Sequence, residues 1–232
     1  MTTVDIAENL KMVRVHIAKS ASHREAREDA VQLVAVTKNH GLDSIQEAIR
    51  CGVTDIGENR VQEAREKFEV LGNRVRWHLI GHLQKNKAKY AVRIFDLIHS
   101  LDSEDLADAL QKEASKLQKV QDVLVQVNLA QEPQKFGVAK DDLQALLSHV
   151  DGLENLCLRG LMCIAPNYEN PEEARPLFRQ MYALYQDVRR TSWQRAQISY
   201  LSMGMTHDYR IAVAEGANIV RIGTAIFGPR EY

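Results

Sequence analysis

The apolar positions of this chain fall into two alternating rhythms. Ile6, Leu10, Val13 and Ile17 recur at helical spacing and predict an amphipathic helix over residues 3–19. A polar stretch, Ser20 to Asp29, separates it from Leu33-Val34-Ala35-Val36, a buried strand that stops at Thr37-Lys38. Helix and strand patterns then alternate to the end. Leu42 to Cys51 reads as a helix closed by Gly52, and Val53 to Ile56 as a strand. Asn59 is a good N-cap for a charged helix that runs to Leu71 and stops at Gly72. Val75 to Ile80, Ile94 to Ile98 and Val123 to Asn128 are predicted as the next strands. Between them lie a helix over Gln84 to Val92 and one capped by Asp102 or Ser103. A loop with Pro133 and Gly137 and a helix over Asp141 to Val150 lead to a strand at Leu156 to Met162. Pro166-Asn167 opens another loop, and Pro171 sits in the first turn of a long helix. Ile198 to Leu201 is the seventh strand, a helix near His207 to Glu215 follows, and Asn218 to Ile222 is the eighth.

Eight strands, seven intervening helices and an N-terminal one imply a parallel sheet. Eight such units in 232 residues predict a (β/α)8 barrel, a TIM barrel, as one domain over 1–232. A doubly wound open sheet is the alternative; it usually has fewer strands, and the first turn here lacks a GxGxxG fingerprint.

Composition narrows the function classes. With 30 basic and 31 acidic residues the net charge is −1, so no electrostatic footprint for nucleic acid or an anionic membrane is present. No apolar run approaches the length of a membrane span, and the polar N-terminus does not resemble a signal peptide. Three cysteines without CxxC spacing predict no disulfide framework, and together these features predict a cytoplasmic protein.

In a barrel the ligand face is the one at the C-terminal strand ends. The polar residues there are Lys38, Glu58, Asn59, His78, Ser100, Asn128, Ser202 and Arg221. Side-chain alternation puts Val34, Val36 and Lys38 on one side, Ile219 with Arg221, and Gln126 with Asn128. The segments Ser202-Met203-Gly204-Met205-Thr206 and Gly223-Thr224-Ala225 are small-residue loops after strands seven and eight, where barrels commonly bind phosphate. The pair His78 and His82 has ligand spacing but no nearby carboxylate, so no metal site is predicted. A lysine facing a phosphate site leaves two chemistries: a cofactor-free Schiff-base enzyme, or a lysine carrying pyridoxal phosphate (PLP).

Seven ordered segments of residues 33–228 decide the matter. Ala35-Val36-Thr37-Lys38, Ile56-Gly57-Glu58-Asn59, Trp77 through Lys87, Lys135-Phe136-Gly137, Arg159-Gly160-Leu161-Met162, Leu201 through Met205 and Arg221 through Gly228 resemble the YggS/PROSC family of pyridoxal phosphate homeostasis proteins. That family is similar to the N-terminal barrel of bacterial alanine racemase. By this resemblance Lys38 forms the aldimine with PLP and Arg221 faces the pyridine nitrogen. Ser202, Gly223 and Thr224 match phosphate-binding positions, and Asn59, His78 and Met203 match positions lining the cofactor pocket. Two departures are Asn39-His40-Gly41, where the family often has a Pro-containing turn, and Thr206 in place of a usual serine.

The resemblance implies a PLP-binding carrier, a monomer, with PLP-dependent apo-enzymes as recipients. An arginine at the pyridine nitrogen makes the ring a weaker electron sink than an acidic partner would. Alanine racemase takes its second base from an additional C-terminal domain, whereas this chain is expected to end at Tyr232 without one. Tyr209 and Tyr232 are this chain's own candidates for that role, and nothing specific in the sequence supports either. The expectation is therefore a binding protein without catalytic residues, with a PLP-dependent racemase or related amino-acid enzyme as the alternative.

Overall fold

The structure, a computed structural model, describes residues 4–21, 31–130, 132 and 136–229. Most of the Ser20 to Asp29 stretch, Pro133, Lys135 and Tyr232 lie outside the described residues. Helix α1 (Ile6–Ala21) precedes the first strand. Eight strands then alternate with helices: β1 (Gln32–Val36), α2 (Leu42–Arg50), β2 (Asp55–Glu58), α3 (Val61–Leu71), β3 (Arg76–Leu79), α4 (Ala88–Ile94), β4 (Leu97–Leu101) and α5 (Glu104–Lys116). The second half comprises β5 (Gln121–Gln126), α6 (Leu143–Asp151), β6 (Leu156–Met162), α7 (Arg175–Arg190), β7 (Tyr200–Met205), α8 (Tyr209–Ala214), β8 (Ile219–Ile222) and α9 (Thr224–Phe227). All eight strands are parallel, and β1 pairs with β8 to close the barrel. The predicted TIM barrel is the observed fold.

Alternation along the strands sorts two cores. Ala35, Ile56, Leu79, Ile98, Val123 and Val125 join the helices in one continuous outer core. Val34, Leu97, Leu124, Met162 and Ile219 form a separate cluster inside the barrel. Helix α1 lays Ile6, Leu10, Val13 and Ile17, the residues its spacing predicted, against this outer layer.

Gly160 is what allows β6 to bulge where its pairing with β5 shifts register between Val123 and Leu124. Its φ is +146°, and a Cβ there would lie 1.9 Å from the Tyr200 carbonyl oxygen. Gly160→Ala is expected to cost about 3 kcal/mol, through backbone overpacking, measured as a fall in the urea midpoint at unchanged slope.

Several boundaries differ from the predicted ones for local reasons. Strand β2 starts two residues late because the Val53 N–H is spent on Ala48 at the end of α2. The apolar run through Ile94 and Phe95 completes α4 before β4 begins, since the Phe95 N–H bonds Ala91. Asn59 is not a helix cap: α3 is preceded by Arg60, whose side chain makes no capping bond. Ser103 does cap α5, accepting from the Leu106 N–H at 3.4 Å. Pro171 opens a 3-10 turn (Pro171–Ala174) that runs into α7. The segment after β8, predicted as a loop, forms the short α9.

Candidate functional site

Lys38 is seated by its neighbours. The Thr37 N–H continues the β1–β2 ladder to Gly57, and the His40 N–H turns back to the Thr37 carbonyl. Asn39 takes the left-handed conformation (φ 61°), which asparagine tolerates and proline cannot adopt. Behind this turn stands a buried ionic cluster. Lys67 of α3 donates to the Thr37 carbonyl (2.7 Å), Glu58 Oε1 (2.6 Å) and Glu63 Oε1 (2.7 Å). Glu63 accepts the Asn39 N–H at 2.6 Å, and Glu58 accepts the Thr37 hydroxyl at 2.5 Å. Both residues flanking Lys38 are thus clamped. Burial pushes the Glu58 carboxyl above its ordinary value, against the pull of Lys67 and Thr37. Lys38, Asn39, Asn59, Arg60 and Glu63 line a cavity of about 240 Å³ at this rim.

Arg221 sits on β8, next to β1, with Val34 opposite it in register. Its guanidinium is almost fully buried; Nη1 donates to Ser202 Oγ at 2.5 Å and Nη2 to the Cys163 carbonyl at 2.9 Å. Ser202 Oγ lies 3.0 Å from His99 Nδ1, and His99 Nε2 lies 2.9 Å from His78 Nδ1. The row ends at Asp55, whose Oδ1 is 2.9 Å from His78 Nε2. Burial raises the Asp55 carboxyl, but hydrogen bonds from His78, Thr54 and Gln32 outweigh it and hold it below its usual range.

Burial, with smaller contributions from His78 and Arg221, pulls His99 well below the ordinary histidine value. An unfolded histidine takes up a proton near ~6.5 while folded His99 does not. Stability is therefore expected to decline as pH falls below about 6.5, by up to about 1.4 kcal/mol per pH unit from this group. Urea unfolding of His99→Gln beside wild type should show the decline lessened by that amount.

The loops after β7 and β8 meet. Thr206 Oγ1 accepts the Ala225 N–H at 3.4 Å, and His40 of the β1 turn packs on Phe227 of α9 with ring centroids 4.7 Å apart. Gly223 follows the last residue of β8 and precedes the first turn of α9. A Cβ there would stand 3.3 Å from the Val36 Cβ, so the glycine lets the β8 loop pack closely on β1 at the mouth. Lys38, Arg221, Gly223 and Thr224 share this β8–β1 sector.

Three of the predicted residues have protein partners in the structure. Ser202 is fully buried with its hydroxyl between Arg221 and His99, below the loop expected to hold phosphate; the hydroxyl within that loop is Thr206. His78 is fully buried with both ring nitrogens engaged, one layer below the mouth rather than lining it. Met203 belongs to the outer core, because it is offset by one from inward-facing Ser202. Asn59 is half-buried at the cavity beside Lys38. Gln126 does face inward with Val123 and Val125 outward, but its amide holds the Phe136 carbonyl at 2.9 Å. Tyr209 is turned onto α1, its hydroxyl 3.1 Å from His16 Nδ1. Among the described residues no cluster of His, Cys, Asp or Glu could hold a metal, and no helix is long and apolar enough to cross a membrane.

Sequence reasoning passed over His99 and Lys67. With the fourth strand ended at Ile98, His99 fell outside it; extending the alternation from Leu97 would have pointed it inward. Lys67, four residues after Glu63 on a charged helix, looked like one half of an exposed pair.

Comparison with known proteins agrees with this geometry. The model of the alanine racemase N-terminal domain matches residues 6–231. The pyridoxal phosphate homeostasis protein of Aquifex aeolicus is 42% identical over 230 residues, 99% of this chain and 100% of its own. That of Haemophilus influenzae is 37% identical over 232 residues, covering 99% and 98%. PipY of Synechococcus elongatus, solved with PLP bound, superposes with a TM-score of 0.85 at 39% identity, over 97% of this chain and 100% of PipY. Alanine racemase from Bartonella henselae shares the fold at 16% identity, with a TM-score of 0.73 over 98% of this chain and 60% of its own. The chain belongs to the family of pyridoxal phosphate homeostasis proteins.

Proposed function

We propose that this protein binds PLP at the β8–β1 sector of the barrel mouth and serves PLP homeostasis as a carrier. The observation that carries this reading is the convergence there of Lys38, the buried Arg221 cation and the side-chain-free Gly223. PLP brings an aldehyde that condenses with a neutral amine, releasing water, and a phosphate that seeks backbone and hydroxyl donors. In this reading Lys38 carries the cofactor, Arg221 faces the pyridine nitrogen, Asn59 lines the approach to Lys38, and Gly223, Thr224 and Thr206 hold the phosphate. PLP-dependent apo-enzymes of the cytoplasm are the recipients.

A carrier rather than a racemase is favoured by the equipment around the site. Racemisation needs an acid/base on each face of the substrate α-carbon, and Tyr209 is committed to His16. The test combines a PLP titration, followed by visible absorbance and borohydride fixation, with an assay of alanine turnover. The expected result is stoichiometric, reducible PLP without turnover. Sustained racemisation of alanine, or no retention of PLP, would overturn the reading.

A further inference from the structure

With both imidazoles neutral, the residue types between Arg221 and Asp55 leave the protons of the interior row a single arrangement. A guanidinium only donates, so the Ser202 oxygen accepts from Arg221. An ionised carboxylate only accepts, so Asp55 takes the Nε2–H of His78. His78 then has a bare lone pair on Nδ1, which must accept the Nε2–H of His99. His99 in turn has a bare Nδ1, which accepts the Ser202 hydroxyl proton. A second proton on His78 would make His99 donate to Ser202, whose oxygen would then accept from both neighbours and whose hydrogen would lose its acceptor; neither ring has any exposed surface.

Four hydrogen bonds of 2.5, 3.0, 2.9 and 2.9 Å therefore run in one direction, from the cation near the mouth to the anion at the foot of the barrel. Each link polarises the next. The foot is itself anchored: Gln32 donates to Asp55 Oδ1, Thr54 donates to Oδ2, and Arg76 Nε stands 3.7 Å away.

We propose that Asp55 is a positioning residue for Arg221, acting through His78, His99 and Ser202 to fix the proton order that holds the guanidinium in one orientation. This rests on the reading that Arg221 faces the PLP ring, and it gives the buried histidines a task that cofactor contact does not. With the order reversed, Ser202 would accept from both His99 and Arg221, and its own hydrogen would have no acceptor among the described residues, so this buried hydroxyl would be left unsatisfied beside the guanidinium. The Arg221 bond to Ser202 would weaken, leaving the Cys163 carbonyl as the firmer hold on the guanidinium.

The test reads the histidine tautomers by 15N NMR on the cofactor-free protein, and PLP affinity separately. In wild type both His78 and His99 should carry a proton on Nε2 and none on Nδ1. Asp55→Leu removes the terminal acceptor; protons should move onto Nδ1 in both rings, and PLP should dissociate with a Kd about tenfold higher. Asp55→Asn keeps an acceptor oxygen and should retain the wild-type tautomers with a smaller loss of affinity. Ser202→Ala should leave both tautomers unchanged, since they are set from Asp55, yet weaken PLP binding about as much as Asp55→Leu. A fold defect in Asp55→Leu leaves the decision to the wild-type tautomers and Ser202→Ala. An Nδ1–H on either ring in wild type, or undiminished PLP affinity in Ser202→Ala, overturns the proposal. Failure of wild type to bind PLP would overturn the cofactor reading instead, while the tautomers of the cofactor-free protein still report the relay.

Discussion

Lys67→Ala is expected to lower the free energy of unfolding by about 3–5 kcal/mol, the cost of stripping one partner from a buried ion pair. The substitution leaves Glu58 fully buried with only the Thr37 hydroxyl on Oε1, and Oε2 has no hydrogen-bond partner to begin with. It also frees the Thr37 carbonyl and Glu63, so the turn presenting Lys38 loses its clamp. The pair's own worth is smaller than this loss. Desolvation of Glu58 opposes its attraction to Lys67, as the upward displacement of its carboxyl shows. The double variant Glu58→Gln, Lys67→Met should therefore be destabilised less than the sum of the two single ones, because neither partner is left charged and alone. Urea unfolding of the four proteins measures this directly; strict additivity would mean that the cluster is not coupled. PLP binding by any folded single variant should weaken with the loosened turn.

The barrel was legible in the sequence because parallel strands buried on both faces read as short apolar runs between amphipathic helices. Lys38, Arg221, Gly223 and Thr224 were legible too, since residues at strand ends need only the strand count and the alternation to be placed. Interior polar residues were harder. His78 and Ser202 stood out as polar residues at strand ends, yet whether such a side chain meets a ligand or another side chain depends on its depth along the barrel. Depth follows from register, and β4–β5, β5–β6 and β7–β8 all shift register part-way. Met203 shows the two sources of expectation apart: the family likeness sets it at the pocket, whereas the alternation that puts Ser202 inside turns the Met203 side chain to the outer core. Lys67 was illegible because a buried lysine on a charged helix has the same local pattern as a solvated one.

Strand β1 and the clamp behind it present Lys38 at the barrel mouth. Replacing Lys38 by alanine removes the amine and leaves Arg221, Gly223, Thr224 and Thr206 as they are. The account then predicts residual, non-covalent PLP binding with complete loss of covalent attachment. The decisive measurement is peptide mass analysis of wild type and Lys38→Ala after incubation with PLP and borohydride reduction. One pyridoxyl group per chain on the Lys38 peptide in wild type, and none anywhere in Lys38→Ala, is the predicted result. Labelling of Lys38→Ala as complete as that of wild type would contradict the account.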